Sequence, residues 1–161
     1  MEQVFNEIKH ILDSKKLKYK LFEHEPTPTS KDSARVRGTS EDQGAKAIIL
    51  RSEGEFLLCV LPGNERIDLK KLRSIINKKS LSLATSEEVI KVTNCVPGEV
   101  PPFGNIFKIK TFVDKSLLKN QEIAFNAGLM TKSIVIKTED YLEIVKPIIE
   151  EFIEWSFNKF Y

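Results

Sequence analysis

Apolar residues recur three and four apart at Val4, Ile8, Ile11 and Leu12, so the chain opens with a helix to about Ser14. Tyr19–Glu23 reads as a short strand. His24-Glu-Pro-Thr-Pro-Thr29 then interrupts regular structure, because its two prolines remove backbone donors. Thr29 or Ser30 can cap a short helix over residues 31–36, ended by Gly38. Ser40-Glu-Asp-Gln offers a second helix start before Gly44.

Residues 46–51 and 55–61 are two strands separated by Ser52-Glu-Gly54, a hairpin signal. Phe56-Leu-Leu-Cys-Val-Leu61 is apolar on both faces and predicts a strand central in its sheet. Pro62-Gly63-Asn64 turns the chain, and Asp68 can cap a helix over residues 68–76. Residues 81–84 predict a short strand, and Ser86-Glu-Glu-Val begins a further helix. Phe107, Ile109, Thr111 and Val113 alternate with Lys108 and Lys110, so residues 107–113 predict a half-buried strand. Two more strands, 122–125 and 133–137, flank Asn126-Ala-Gly128. The stripe Tyr141, Ile144, Val145, Ile148, Phe152 and Ile153 predicts a closing helix, kinked or restarted at Pro147. Hairpin-joined neighbours imply a mixed or antiparallel sheet, not a doubly wound one, within one domain spanning residues 1–161. The fold class is α/β of the α+β type.

Composition adds little, with 41% hydrophobic and 30% charged residues in a chain of 161 and a net charge of +2. Near-neutrality argues against wholesale coating of nucleic acid. Basic residues still cluster at Lys15, Lys16, Lys18 and Lys20, and again at Lys70, Lys71, Arg73, Lys78 and Lys79. On one face these would suit an RNA backbone; as solvated helix surface they would need no partner. Cys59 lies inside an apolar run and reads as a buried small hydrophobe, and neither cysteine has metal-ligand spacing, so no metal or cofactor is expected. The amphipathic start carries Glu2 and Glu7, which is unlike a secretory signal, and no apolar run reaches membrane-spanning length. A cytoplasmic protein is expected.

Four stretches could carry chemistry. Lys46 shares a strand face with Ile48 and Leu50, so it either snorkels at an edge or sits in a pocket. Gly98-Glu-Val-Pro-Pro-Phe-Gly104 is a rigid loop whose backbone N–H groups could face an oxygen that gains charge, or simply a tight connection. Asn126 could donate to a carbonyl or ribose hydroxyl, or serve as a turn residue with positive φ. His24, Thr27 and Thr29 offer polar groups useful for recognition or for capping. Neither a Ser-His-Asp order, a nucleophile elbow, a phosphate loop nor a paired-carboxylate motif is present.

Taken in order, His24-Glu-Pro-Thr-Pro-Thr, Gly44-Ala-Lys-Ala-Ile-Ile-Leu, Val60-Leu-Pro-Gly with Ile67-Asp-Leu-Lys-Lys-Leu, the 98–104 loop and Phe125-Asn-Ala-Gly resemble the YbaK/prolyl-tRNA-synthetase editing-domain family over residues 20–130. The resemblance implies a mixed, strongly curved sheet with surrounding helices. It implies hydrolysis of the ester joining a wrong amino acid to the terminal adenosine of tRNA, here in trans, since no synthetase domain accompanies the motifs. It maps the family's required lysine onto Lys46 and its Gly-x-x-x-Pro loop onto Gly98 and Pro102, with Phe103 and Gly104 beside them. It places Asn126, Ala127 and Gly128 at the border of the amino-acid pocket, and His24, Thr27 and Thr29 at its mouth. The tRNA's own ribose hydroxyl is the expected assistant to the attacking water. Alanine-directed members commonly carry Lys-Asn where this chain has Lys46-Ala47, so Ser, Thr, Ala or Cys esters are the expected substrates. The 3′ end of aminoacyl-tRNA is the implied partner, with a synthetase as a second, acting on a monomer or weak dimer. A non-catalytic docking module of the same fold is the alternative.

Overall fold

The computed structural model describes residues 2–155. Its elements follow in the order α1 (Glu2–Ser14), β1 (Tyr19–Glu23), α2 (Ser30–Arg37), β2 (Ala45–Ser52), β3 (Glu55–Pro62), α3 (Leu69–Ile75), β4 (Ser82–Leu83), α4 (Ser86–Thr93), β5 (Lys110–Asp114), β6 (Glu122–Leu129), β7 (Lys132–Lys137), α5 (Thr138–Val145) and β8 (Ile148–Glu150). Three 3₁₀ turns, Glu41–Gln43, Gly104–Phe107 and Lys115–Lys119, join them.

The β2–β3 hairpin closes with Ser52 opposite Glu55, and Glu53 and Gly54 both take positive φ. This is the two-residue turn whose twist matches that of antiparallel strands. β3 becomes the centre of a five-stranded sheet ordered β4-β2-β3-β5-β8, antiparallel to β2 and parallel to β5. Its lack of a polar face follows from burial on both sides. Leu58 and Val60 join the core that holds Val4, Phe5, Ile8 and Leu12 of α1, while Leu57, Cys59 and Leu61 meet Leu72 of α3 and Phe152. Each such side chain contributes roughly 1.5–3 kcal/mol by leaving water. A second sheet, β1-β7-β6, is antiparallel throughout, and the Gly44–Ala124 bridge joins the two. The fold is thus mixed α+β, with its strands divided between two linked sheets.

Two expected elements are corrected. The alternation over residues 107–113 is a strand only from Lys110, because Gly104–Phe107 is a 3₁₀ turn that Lys108 ends at φ 59°. Gly104 N–H donates to Thr111 Oγ1 at 3.0 Å, which folds the segment back on itself. The closing helix stops at Val145, with Lys146 left-handed at φ 48°. Pro147 disfavours helical backbone in the residue before it and offers no N–H. Ile148 and Ile149 then run as β8, parallel to β5, so the apparent helical stripe crosses two element types.

Gly104 has no room for a side chain. A Cβ there would collide with Thr111 Oγ1 and lie 2.7 Å from Ile109 O, a carbonyl held in place because Ile109 N–H donates to Gly104 O at 3.1 Å. Gly104→Ala should cost about 1–3 kcal/mol through overpacking. Thermal melting should therefore show a midpoint several degrees below wild type, and an unchanged midpoint would refute the packing account.

Candidate active site

Thr29 starts α2 by accepting from Asp32 N–H, and Gly38 ends it with φ 69°. Over this one short helix Ser30, Ser33 and Arg37 share a face by their three- and four-residue spacing. Ser33 and Arg37 are buried, Arg37 to 8% exposure. That face forms one wall of a cavity of about 220 Å³. Thr27, Pro28, Thr29, the chain entering β2 at residues 44–47, Gly63, Gly98, Val100, Asn126 and Met130 also line it. The volume lies below the range of drug-sized pockets and suits a small chemical group.

The β6–β7 pairing sets Asn126 opposite Ser133, and the ladder shifts register between Asn126 and Leu129, where Gly128 has φ 85°. Asn126 is therefore a strand residue with ordinary φ, not a turn asparagine. Its Nδ2 donates to Gly98 O at 2.7 Å, and its Oδ1 accepts from Arg37 Nη2 at 2.9 Å. Arg37 Nε donates to Ser133 Oγ at 2.9 Å. Gly128 N–H donates to Glu99 O at 3.0 Å, so strand and loop are joined at two points. His24 Nδ1 lies 2.8 Å from Glu25 O, which can only accept, so Nδ1 donates. The ring Nε2 lies 2.8 Å from the Ser133 hydroxyl.

Lys46 stands half-buried at the start of β2. Its Nζ donates to Glu65 O at 2.6 Å and Gly63 O at 3.3 Å. Burial, and secondarily the charge of Arg66, hold its pKa below that of an ordinary lysine, with Glu65 and Glu41 opposing. Burial pushes the Arg37 guanidinium down to about 10. Among the described residues no carboxylate, histidine or cysteine lines the cavity. Cys59 and Cys95 are core residues whose thiols burial raises, Cys95 to about 11, which leaves them poor nucleophiles.

Of the residues singled out in the sequence, Lys46, Gly98, Thr27, Thr29 and Asn126 meet around this one cavity. The others lie behind it. Phe103 is fully buried edge-on to Phe125 and Tyr141, at 5.3 and 5.5 Å between ring centres. Pro102 offers its carbonyl to the Tyr141 hydroxyl at 2.6 Å. Ala127 faces the core, and Gly128 packs so closely on α1 that a Cβ would lie 3.0 Å from Val4 Cγ1. His24 reaches Ser133 instead of the cavity. Three loop N–H groups are already committed: Glu99 to Val96 O, Phe103 to Pro101 O and Gly104 to Thr111 Oγ1. They are not free to face a reacting oxygen, which corrects that expectation for these groups. Arg37, Ser33 and Ser30 were missed. The helical spacing that groups them was visible, but α2 has only Ala34 and Val36 as apolar residues, too few to mark a buried face, and residue type does not separate Arg37 from the exposed Arg35.

Fold and cavity together define a small α+β domain whose cavity lies between two cations and is walled by hydroxyls, with no acid–base pair of carboxylate or histidine among the described residues that line it. The family model for the aminoacyl-tRNA editing domain matches residues 24–144, and the chain belongs to that family. The Escherichia coli K12 protein named multifunctional Ser/Thr-tRNA deacylase ProXp-y is 37% identical over 139 residues, 83% of each chain. The prolyl-tRNA editing protein ProX of Acetoanaerobium sticklandii is 29% identical over 141 residues, 84% of this chain and 86% of its own. A solved structure described as a candidate trans-editing enzyme for prolyl tRNA synthetase superposes with a TM-score of 0.85 at 23% identity, covering 96% of this chain and 99% of that one.

Asn126→Ala removes an acceptor from a buried guanidinium and a donor from Gly98 O. Hydrogen bonds to charged groups are worth about 1.5–3 kcal/mol. Urea unfolding should show a loss of about 2 kcal/mol or more; a loss under about 0.5 kcal/mol would show that Arg37 does not depend on this amide.

Proposed function

We propose that the chain is a trans-acting deacylase that hydrolyses the ester of a small amino acid on a mischarged tRNA, with serine and threonine ahead of alanine and cysteine. The observation that carries this reading is the wall of hydroxyls. Thr27, Thr29, Ser30 and Ser33 line one side of the cavity, and the Thr27 and Ser33 hydroxyls lie 2.6 Å apart and buried. Either can rotate to accept from or donate to a substrate hydroxyl. A site built to bond a hydroxyl discriminates against its absence better than an apolar pocket discriminates by size. The naming of the Escherichia coli relative points the same way.

Lys46 binds and does not attack. Gly63 O and Glu65 O each accept from Nζ and so favour its ammonium form, which has no lone pair, over the free amine. Its third proton is left for a ribose or phosphate oxygen at the tRNA 3′ end. A water attacks the ester carbonyl, and the ribose hydroxyl next to the ester takes the place of the missing protein base. The domain acts in the cytoplasm, where charged tRNA is found; among the described residues no helix is long and apolar enough to cross a membrane.

Release of amino acid from Ala-, Ser-, Thr-, Cys- and Pro-tRNA tests the reading. Seryl and threonyl esters should be cleared fastest, and Lys46→Ala should slow them by about 10–100-fold, the worth of one charged hydrogen bond. Release from none of the five, with tRNA still bound, would leave the docking module as the function. A substrate ending in deoxyadenosine, which lacks the neighbouring hydroxyl, should be cleaved at no more than background. Full activity on it would exclude substrate assistance.

A further inference from the structure

We infer that Arg37 is a catalytic residue of this site, the donor that stabilises the carbonyl oxygen of the ester as it becomes negatively charged. The inference rests on the deacylase reading above. Arg37 lines the cavity, yet only 8% of it is exposed. Among the described residues no carboxylate pairs with it. A buried charge without a counter-ion costs several kcal/mol. Position in the last turn of α2, next to the helix's negative end, offsets only part of that.

The geometry of the guanidinium shows which part is free. Nε is held by Ser133 Oγ and Nη2 by Asn126 Oδ1, both at 2.9 Å. Asn126 is itself fixed by Gly98 O, and Ser133 by His24, so the fork is locked in orientation. Nη1 has no partner among the described residues. A Cβ built on Gly44 would lie 3.6 Å from it, so the free end faces the start of β2, the strand that carries Lys46. Gly44 lines the cavity, so Nη1 is a fixed, charged donor at the cavity wall, as transition-state stabilisation requires, while the Glu99, Phe103 and Gly104 N–H groups are committed elsewhere.

The step balances without a further reagent. Water oxygen bonds to the carbonyl carbon, and the carbonyl π pair moves onto oxygen beside Nη1. On collapse that pair re-forms the C=O bond, and the bond to ribose oxygen breaks. The leaving oxygen takes one proton of the water through the neighbouring hydroxyl, and the second proton goes to solvent as the amino acid leaves as carboxylate.

Single-turnover deacylation of Ser- and Thr-tRNA by wild type, R37Q and R37K tests this, with enzyme varied to separate binding from the bond-breaking step. R37Q keeps a donor for Asn126 and loses the charge; R37K keeps the charge and loses the fork. At saturating enzyme R37Q should be slower by about 10²-fold with half-saturation changed less than about threefold, and R37K should stay about tenfold faster than R37Q. The R37K rate should also fall as pH rises, after subtraction of spontaneous hydrolysis, because a desolvated lysine loses its proton sooner than an arginine. A purely structural role would give neither this pH dependence nor the R37K advantage. If R37Q keeps the wild-type rate, or its loss lies wholly in half-saturation, the inference fails while the deacylase reading stands. If R37Q does not fold, R37K decides alone, and a pH profile identical to wild type overturns the proposal. Wild type that releases nothing from any ester overturns both.

Discussion

Two cations, Arg37 buried and Lys46 half-buried, have neutral oxygens as their partners, and the architecture around the cavity follows from that requirement. Lys46 rests on Gly63 O and Glu65 O, and Arg37 on Ser133 Oγ and Asn126 Oδ1. A carboxylate at either place would stabilise the fold more simply, but it would also cancel the positive field inside the cavity. Neutral acceptors orient the cations and leave that field available to a ligand. Each acceptor must then be placed accurately, because desolvated charge is costly when its hydrogen bonds are lost.

That placement is the work of the framework. The hairpin register of β2 and β3 sets Lys46 opposite Leu61, beside the Gly63 turn. The pairing of β6 with β7 sets Asn126 opposite Ser133, and the irregularity after Asn126 lets Gly128 bond to the loop at Glu99. The Pro-Pro-Phe-Gly part of that loop faces away from the cavity. Phe103 and the Tyr141–Pro102 hydrogen bond sink it into the core, so that Gly98, at φ 94°, arrives where its carbonyl meets Asn126. The motif is a foundation for the site, and its outer end alone borders the cavity.

An aminoacyl ester is already activated, so a domain that edits it can work by orientation and charge stabilisation without a nucleophile. The lining agrees with such chemistry: hydroxyls on one wall, two oriented cations and, among the described residues, no carboxylate or histidine. Volume alone separates serine from alanine poorly, so on the proposed reading discrimination between them falls to hydroxyl bonds, where burial makes an unpaired group expensive.

Local interactions made much of this legible in the sequence. The caps of α2 and α3, the β2–β3 hairpin and the all-apolar β3 depend on neighbours a few residues apart, and so does the half of Lys46's strand that places it among Ile48 and Leu50. Motif resemblance brought Lys46, Gly98, Thr27, Thr29 and Asn126 into one list, and these five line one cavity. The tertiary structure decided what spacing cannot encode. Whether Ile148 continues a helix or pairs with Phe112 depends on a strand 36 positions away, and β pairing at that range leaves no period in the local pattern. Arg37 differs from Arg35 only in facing Ser133 and Asn126, about 90 residues on. Long-range hydrogen bonds and burial, not residue type, made one arginine surface and the other the inner wall of the site.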